Sequence, residues 1–191
     1  MKIAAVLLAA GHSSRFGGDK LAQPLPNGRC VALASAHNLL GACDTRVAVV
    51  RQSDQVLGRA LAELGFKIVS ATAAHNGMGA SLALGVSTAR NADGWLIALA
   101  DMPWIKQASI VQIASALRRG ADLAAPYHQG QRGHPVGFGK RFYHDLIGLD
   151  GDSGARSILQ CHHAAIQCVT VDDAGVLRDI DRPADLAQAP G

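Results

Sequence analysis

Two apolar runs constrain this chain most: AAVLLAA at Ala4 to Ala10 and WLIALA at Trp95 to Ala100. Neither alternates polar with apolar residues, so each predicts a strand covered on both faces, as in the centre of a parallel sheet. Shorter runs bounded by turn residues, at Arg46 to Val50, Phe66 to Ala71 and Asp122 to Pro126, read as further strands, and the first strand is bounded at Ile3 to Ala9. Between them, Val31 to Leu40, Gln55 to Leu64, Ala80 to Arg90 and Ile110 to Arg119 repeat apolar residues at helical steps, often closing at or near Gly41, Gly65 or Gly120. This βαβ alternation predicts an α/β fold, a three-layer α/β/α Rossmann-like arrangement around a mostly parallel sheet.

The 191 residues, 49% hydrophobic and 17% charged, suit one globular domain with a sizeable core. Aromatics at 4% argue for layers packed by small aliphatics rather than an aromatic sandwich. A net charge of +3, with no run of Lys or Arg beyond two, gives little support for a nucleic-acid partner and leaves room for a small anionic ligand. The N-terminal apolar octet leads into Gly-His-Ser-Ser-Arg rather than a cleavage site, and no run reaches the ~18 residues of a membrane helix, so a soluble, cytoplasmic protein with no membrane partner is expected. Cys30, Cys43, Cys161 and Cys168 then read as reduced thiols. Cys161-His162-His163 with Cys168 lacks a second ligand pair at zinc spacing and reads as a helix end running into a strand.

After Pro126 the pattern changes. YHQGQRGHPVGFG is glycine-rich, and a short helical stretch, the loop LDGDSGARSI, a strand near Ile166 to Val171 and the closing RDIDRPADL follow. No linker is evident, so residues 1–191 read as one domain whose second half decorates the sheet and completes a pocket.

Ligands of such sheets sit beyond the carboxyl ends of the strands, which directs attention to the segments after Ala9 and Ala100. The first, LAAGHSSRFGGDK, matches neither the P-loop nor the dinucleotide fingerprint. It nonetheless collects Gly11 and Gly17 for close backbone approach, Ser13 and Ser14 as donors, Arg15 as a fork for phosphate and Lys20 as a point charge. The second places Asp101 at the mouth of the sheet, as a Mg²⁺ ligand beside a phosphate loop or as a cap of the next turn. In Asp179-Ile180-Asp181-Arg182-Pro183, Asp181 is either a second metal ligand or a cap, and Asp185, in the first turn of the helix that Pro183 opens, reads as structural.

These segments together resemble the small nucleotidyltransferases that activate molybdopterin, and most closely the molybdenum cofactor cytidylyltransferases. The signature Leu-Ala-Ala-Gly-x-Ser-x-Arg-x-Gly-x-x-Lys-Leu aligns with Leu8 to Leu21, and Asn76 to Leu82 is similar to the Gly-Met-x-x-Ser-Leu segment that touches base and ribose. Leu99 to Pro103 resembles the metal-binding turn, Gly133 to Val136 and Gly151 to Arg156 resemble the pterin side, and Asp179 to Leu186 resembles the closing Asp-x-Asp-x-Pro-x-Asp-Leu. Pro26 to Ala32 departs from the usual Gly-x-Pro-Leu-Leu lead into the first helix, with Cys30 in place of Pro.

The resemblance implies the fold of the nucleotide-diphospho-sugar transferases and transfer of CMP from CTP to the phosphate of molybdopterin, releasing pyrophosphate, with Mg²⁺ as cofactor. It assigns Leu8, Ala9, Ala10, Gly11, Ser13, Lys20, Gly77, Met78 and Ser81 to the nucleotide, and Lys20, Asp101 and Arg15 to catalysis. Asp101 and Asp181 fall to the metal, and His134, Pro135, Asp152 and Arg156 to the acceptor, molybdopterin or the molybdenum cofactor. Ala10 favours CTP over GTP, since guanylyl-transferring relatives carry Leu-Ala-Gly-Gly. A transient complex with a molybdoenzyme is the implied protein partner. GMP transfer from GTP to the molybdenum cofactor, cytidylyl transfer to a sugar or polyol phosphate, a non-catalytic cofactor carrier and a dinucleotide-dependent oxidoreductase remain alternatives, the last without the glycine fingerprint.

Overall fold

The computed structural model describes residues 1–11, 16–72 and 77–187. Its eight strands are β1 (Ile3–Ala9), β2 (Thr45–Arg51), β3 (Lys67–Ala71), β4 (Gly94–Leu99), β5 (Leu123–His128), β6 (Gln131–Arg132), β7 (Val136–Gly139) and β8 (Ile166–Thr170). They form one sheet of order β3-β2-β1-β4-β7-β5-β6, with β8 paired to β5. The pairs β1–β2, β1–β4, β2–β3 and β5–β8 are parallel, whereas β7 runs antiparallel to both β4 and β5.

The helices are α1 (Val31–Asn38), α2 (Gln55–Glu63), α3 (Met78–Thr88), α4 (Gln107–Arg118), α5 (Tyr143–Ile147) and α6 (Arg156–Cys161). Successive side chains of a strand point to opposite faces, and β1 shows both faces filled. Ile3, Ala5, Leu7 and Ala9 enter one core with residues of α1, α2 and α4, while Ala4 and Val6 enter a second core with residues of α3, α5 and α6. Two cores on two faces of one sheet make the three layers, and they explain why β1 and β4 carry no polar positions. Each fully buried Leu or Ile in them stabilises the fold by about 1.5–3 kcal/mol.

The second half does more than decorate the sheet, which corrects the reading of YHQGQRGHPVGFG. Its end is β7, wedged between β4 and β5. Gly137 lies where a Cβ would stand 3.0 Å from Leu117 and 3.1 Å from Ile113 of α4, and Phe138 is fully buried in the other core. The glycine lets α4 sit close on the strand, and the same glycine erases the bulky alternation by which strands are recognised. Helices α3 and α4 also begin earlier than their periodicity indicates, at Met78 and Gln107.

The unusual lead into α1 is a tight turn. The Leu25 N–H donates to the carbonyl of Arg29, the Gly28 N–H donates to the carbonyl of Leu25, and Pro24 and Cys30 form a bridge that delivers Cys30 to the N-cap of α1. Cys161 ends α6, and a short turn leads from it into β8, which carries Cys168, as the helix-end reading had it.

Close approach also fixes α3 on the sheet. A Cβ on Gly85 would press on Val6 of β1 and stand 2.9 Å from Val49 of β2. Alanine gains about 1 kcal/mol of helix propensity over glycine, but forcing a methyl into a filled core costs about 1–3 kcal/mol. Gly85→Ala is therefore expected to lower unfolding free energy in a denaturant titration, and a variant more stable than the parent would refute this packing.

Candidate nucleotide-binding site

β1 and β4 run side by side with Leu8 opposite Leu99, and the N–H of Ala100 donates to the Leu8 carbonyl at 3.1 Å. Their carboxyl ends therefore release two segments at the same place: Ala10–Gly11 and the Asp101 turn. Helix α1 secures that turn from below. Ser35, buried, donates to the Ala100 carbonyl at 2.9 Å, and the Asn38 amide donates to the Pro103 carbonyl at 2.9 Å.

The chain re-enters the described residues at Phe16, which packs against the core, and Gly17 takes φ +76°, a conformation glycine adopts without penalty. A single 3₁₀ turn, Lys20–Ala22, follows, with Leu21 buried as its anchor. The ammonium of Lys20 then donates to Asp101 Oδ2 at 2.7 Å and to the Ile180 carbonyl at 2.8 Å, and it lies 3.6 Å from Asp181 Oδ1. One cation thus joins both carboxylates that the sequence offered as metal ligands.

The closing segment reaches Asp101 through its backbone, since the Ile180 N–H donates to the Asp101 carbonyl at 2.9 Å. Asp185 is structural: its Oδ2 accepts from the N–H groups of Asp181 and Arg182, and these bonds hold its carboxyl below the usual carboxylate range. Pro183 opens a 3₁₀ turn rather than an α-helix. Asp179 joins the charge cluster, a role the motif did not single out. Asp179 is an exposed residue, and partial loss of hydration at its carboxyl, followed by the negative charges of Asp101 and Asp181, raises it above the ordinary aspartate value.

His134 and Pro135 lie between β6 and β7, and the His134 N–H donates to the Val176 carbonyl at 2.9 Å. The His134 Nδ1 is buried without a hydrogen-bond partner among the described residues. Desolvation lowers the affinity of its ring for a proton, against the opposing pull of the Asp101 charge, so the imidazole is held toward its neutral form beside the cluster.

A second grouping forms at the N-terminus of α3, where Gly77 has φ +99°. A Cβ there would collide with the Gly151 carbonyl and stand 2.7 Å from Asp152 Oδ1, and the Gly79 N–H donates to that same carbonyl at 2.7 Å. Met78 is exposed, and its sulfur lies 3.0 Å from where a Cβ on Gly154 would stand. The structure thus brings Gly77 and Met78, assigned to the nucleotide, against the loop carrying Asp152, assigned to the acceptor. Ser81 is buried at 6% exposure, inside the first turn rather than on its surface, and Arg156 is exposed at the start of α6. Leu8 and Ala10 are half-buried, Ala9 is buried and Gly11 is exposed. Ser13, Ser14, Arg15 and Asn76 lie outside the described residues.

Sequence reasoning also missed the anchorage of the signature loop. Asp19 Oδ2 accepts from Arg51 Nη2 at 3.1 Å, and the same nitrogen donates to Asp54 Oδ2 at 3.1 Å. This ties the loop to the carboxyl end of β2. Nothing local in the sequence pairs residues so far apart.

Among the described residues, the carboxylates of Asp101, Asp179 and Asp181 gather near the ammonium of Lys20, and such hard oxygen donors suit a divalent cation such as Mg²⁺. Among the described residues no three His, Cys, Asp or Glu side chains converge closely enough to enclose a metal alone. Mg²⁺ is commonly held by one or two carboxylates with substrate oxygens and waters. No helix among the described residues is long and apolar enough to cross a membrane.

Comparison with known proteins identifies the family. The chain is 30% identical to the purine catabolism protein PucB of Bacillus subtilis (strain 168) over 93% of its length and 91% of that protein's. It is 28% identical to the nicotine blue oxidoreductase of Paenarthrobacter nicotinovorans, over 94% and 92%. The fold is that of Rv0371c from Mycobacterium tuberculosis, with a TM-score of 0.85, 24% identity and coverage of 97% and 95%; a second structure of that protein is a complex with manganese. Residues 5–167 match the MobA-like NTP transferase domain, so the lysine and carboxylates gathered at the ends of β1 and β4 belong to a nucleotidyltransferase of the MobA-like NTP transferase family.

Proposed function

We propose that this enzyme transfers CMP from CTP to the phosphate of molybdopterin, releasing pyrophosphate, with Mg²⁺ as the working cation. The observation that carries the reading is the meeting of Lys20, Asp101 and Asp181 where the signature loop leaves β1. In this reaction an acceptor phosphate oxygen forms a bond to the α-phosphorus of CTP. The bond from that phosphorus to the β-phosphate bridging oxygen breaks, and pyrophosphate leaves with the electron pair. The attacking oxygen is already anionic, so no strong general base is needed, and the barrier lies in bringing negative groups together.

Lys20 turns its ammonium from the carboxylates toward the triphosphate, and Arg15, carried by the same loop, adds a planar fork. Asp101 and Asp181 would hold Mg²⁺, which when bound supplies neutralisation of phosphate charge. Leu8, Ala9, Ala10, Gly11, Ser13, Gly77, Met78 and Ser81 are assigned to CTP. The acceptor falls to His134, Pro135, Asp152 and Arg156. Contact between Gly77 and the Asp152 loop supports placing the two substrates side by side.

Incubating the enzyme with each NTP, Mg²⁺ and extracted molybdopterin, and measuring pyrophosphate, tests the reading. Release with CTP is expected. Faster release with GTP would replace the base assignment, release only with a sugar or polyol phosphate would replace the acceptor, and no release with any pair would leave a carrier. One relative is named an oxidoreductase, which favours an NADH arm in parallel. Quenching of NADH fluorescence on binding would reverse the transferase assignment of substrate.

Asp101→Ala and Lys20→Ala are expected to remain folded and lose turnover by about a hundred- to a thousandfold, the usual effect of removing an electrostatic stabiliser. An Asp101 variant with the parent's rate in Mg²⁺ would sink the assignment. The raised Asp179 carboxyl makes a separate claim. A carboxyl raised in the fold contributes instability as pH climbs from its unfolded pKa through its folded pKa, here starting near the ordinary aspartate value of about 3.9. Asp179→Asn is therefore expected to raise the melting temperature of the metal-free protein at pH 7. The gain closes as pH falls to about 3, and a variant less stable than the parent at neutral pH contradicts it.

A further inference from the structure

We propose that Asp173 is a positioning residue for the nucleotidyl transfer centre, holding the segment that carries Asp179 and Asp181 in register with the Asp101 turn. The proposal rests on the reading of Asp101 and Asp181 as the cation pair. Asp173 is a carboxylate inside the protein, at 2% exposure. Its Oδ2 accepts from the Lys106 N–H at 2.8 Å and from Ser109 Oγ at 2.7 Å, and its Oδ1 accepts from the Gly175 N–H at 3.0 Å.

Two of those donors belong to the start of α4. Lys106 is the N-cap of that helix, and its own side chain makes no capping bond, so Asp173 supplies the cap from 67 residues along the chain. A carboxylate at a helix N-terminus also meets the positive end of the helix dipole. The turn from Asp101 to Ile105 joins β4 to this helix, so the capped end is also where the catalytic turn finishes. The third donor belongs to the closing segment, and there Gly175 lies against the Trp104 carbonyl, with no space for a Cβ. From that point the segment gives the Val176 carbonyl to the His134 N–H, the Ile180 N–H to the Asp101 carbonyl, and the Ile180 carbonyl to Lys20. Asp173 thus fastens one end of a strap whose other end carries the carboxylates.

Asparagine at this position has nearly the same size and the wrong chemistry. Its amide nitrogen must face either Lys106 and Ser109 or Gly175, so a donor meets a donor in both orientations. The strap then loosens at its root, while the Asp19–Arg51 pair that fastens the triphosphate loop to β2 keeps its bonds.

The experiment uses the full chain with Asp173→Asn, and Ser109→Ala as a milder variant that removes one of the three bonds. Mn²⁺ binding without nucleotide is read by electron paramagnetic resonance, exchange of the Ile180 amide by hydrogen–deuterium exchange, and kcat and KM for the NTP by pyrophosphate release. Folded Asp173→Asn is expected to bind Mn²⁺ about tenfold more weakly, the low end of what losing a direct hydrogen-bond partner of a ligand costs, because Asp173 acts on Asp181 through the strap and not by touching it. It should also expose the Ile180 amide and lower kcat about tenfold or more with KM nearly unchanged, because the defect lies in orientation rather than in triphosphate binding. Ser109→Ala should move each readout the same way by less.

A folded Asp173→Asn protein with the parent's Ile180 exchange and kcat overturns the proposal. If Asp173→Asn does not fold, Ser109→Ala decides, and unchanged exchange and kcat in that variant overturn it equally. Asp101→Asn separates the two claims. Parent-like Mn²⁺ affinity in Asp101→Asn defeats the cation-pair reading, while the strap is still judged by Ile180 exchange and kcat.

Discussion

A single ammonium group ties together parts of this chain that are far apart in sequence. Lys20 Nζ bonds Asp101, 81 residues away, and the carbonyl of Ile180, 160 residues away, with Asp181 at 3.6 Å. The amine and the Asp101 carboxylate are both mostly shielded, with side chains 15% and 21% exposed, so salt screens their attraction less than that of a surface pair. Removing Lys20 leaves poorly hydrated carboxylates facing one another, which is costlier than losing a surface bridge, whereas removing Asp101 leaves the ammonium with Asp181 and the Ile180 carbonyl. Anchors elsewhere serve this contact. Leu21 fixes the turn from which the lysine departs, Ser35 and Asn38 brace the aspartate turn, and Asp173 fastens the strap behind Ile180.

The same contact suits the chemistry. A site that accepts a nucleoside triphosphate needs positive charge on demand, yet it must remain folded when empty. Carboxylates that satisfy the lysine in the empty site provide for both conditions, since phosphate oxygens can replace carboxylate oxygens around the same ammonium. The negative charges of Asp101 and Asp181, which after lost hydration raise the Asp179 carboxyl, are of the kind that a divalent cation offsets.

The layered fold was legible because it rests on patterns that a sequence displays: uniformly apolar strands, helical repeats and glycine stops. Lys20, Asp101 and Asp181 were legible for a different reason. Lys20 and Asp101 follow β1 and β4 at the carboxyl edge of the sheet, where topology gathers ligand-binding groups, and Asp181 stands in the closing acidic motif. What escaped was long-range or negative. β7 hides behind Gly137 and Gly139, whose missing side chains are the reason it fits. The Asp19–Arg51 pair and the Asp173 cap join residues separated by many turns of chain, and no local periodicity announces them. Asp179 stood inside a recognised motif but beside a more conventional candidate, and only the proximity of Asp101 and Asp181 distinguishes it.

The placement of β7 has a consequence for the order in which the protein is made. β2, β3 and β4 can pair as soon as they leave the ribosome, since each finds a neighbour already synthesised. β5 emerges next but belongs one place farther out, and the exposed edge of β4 must stay vacant until Val136–Gly139 arrives to fill it. Asp181 appears later still, so a nascent chain can hold a half-built sheet for many residues of synthesis before it has anything with which to act.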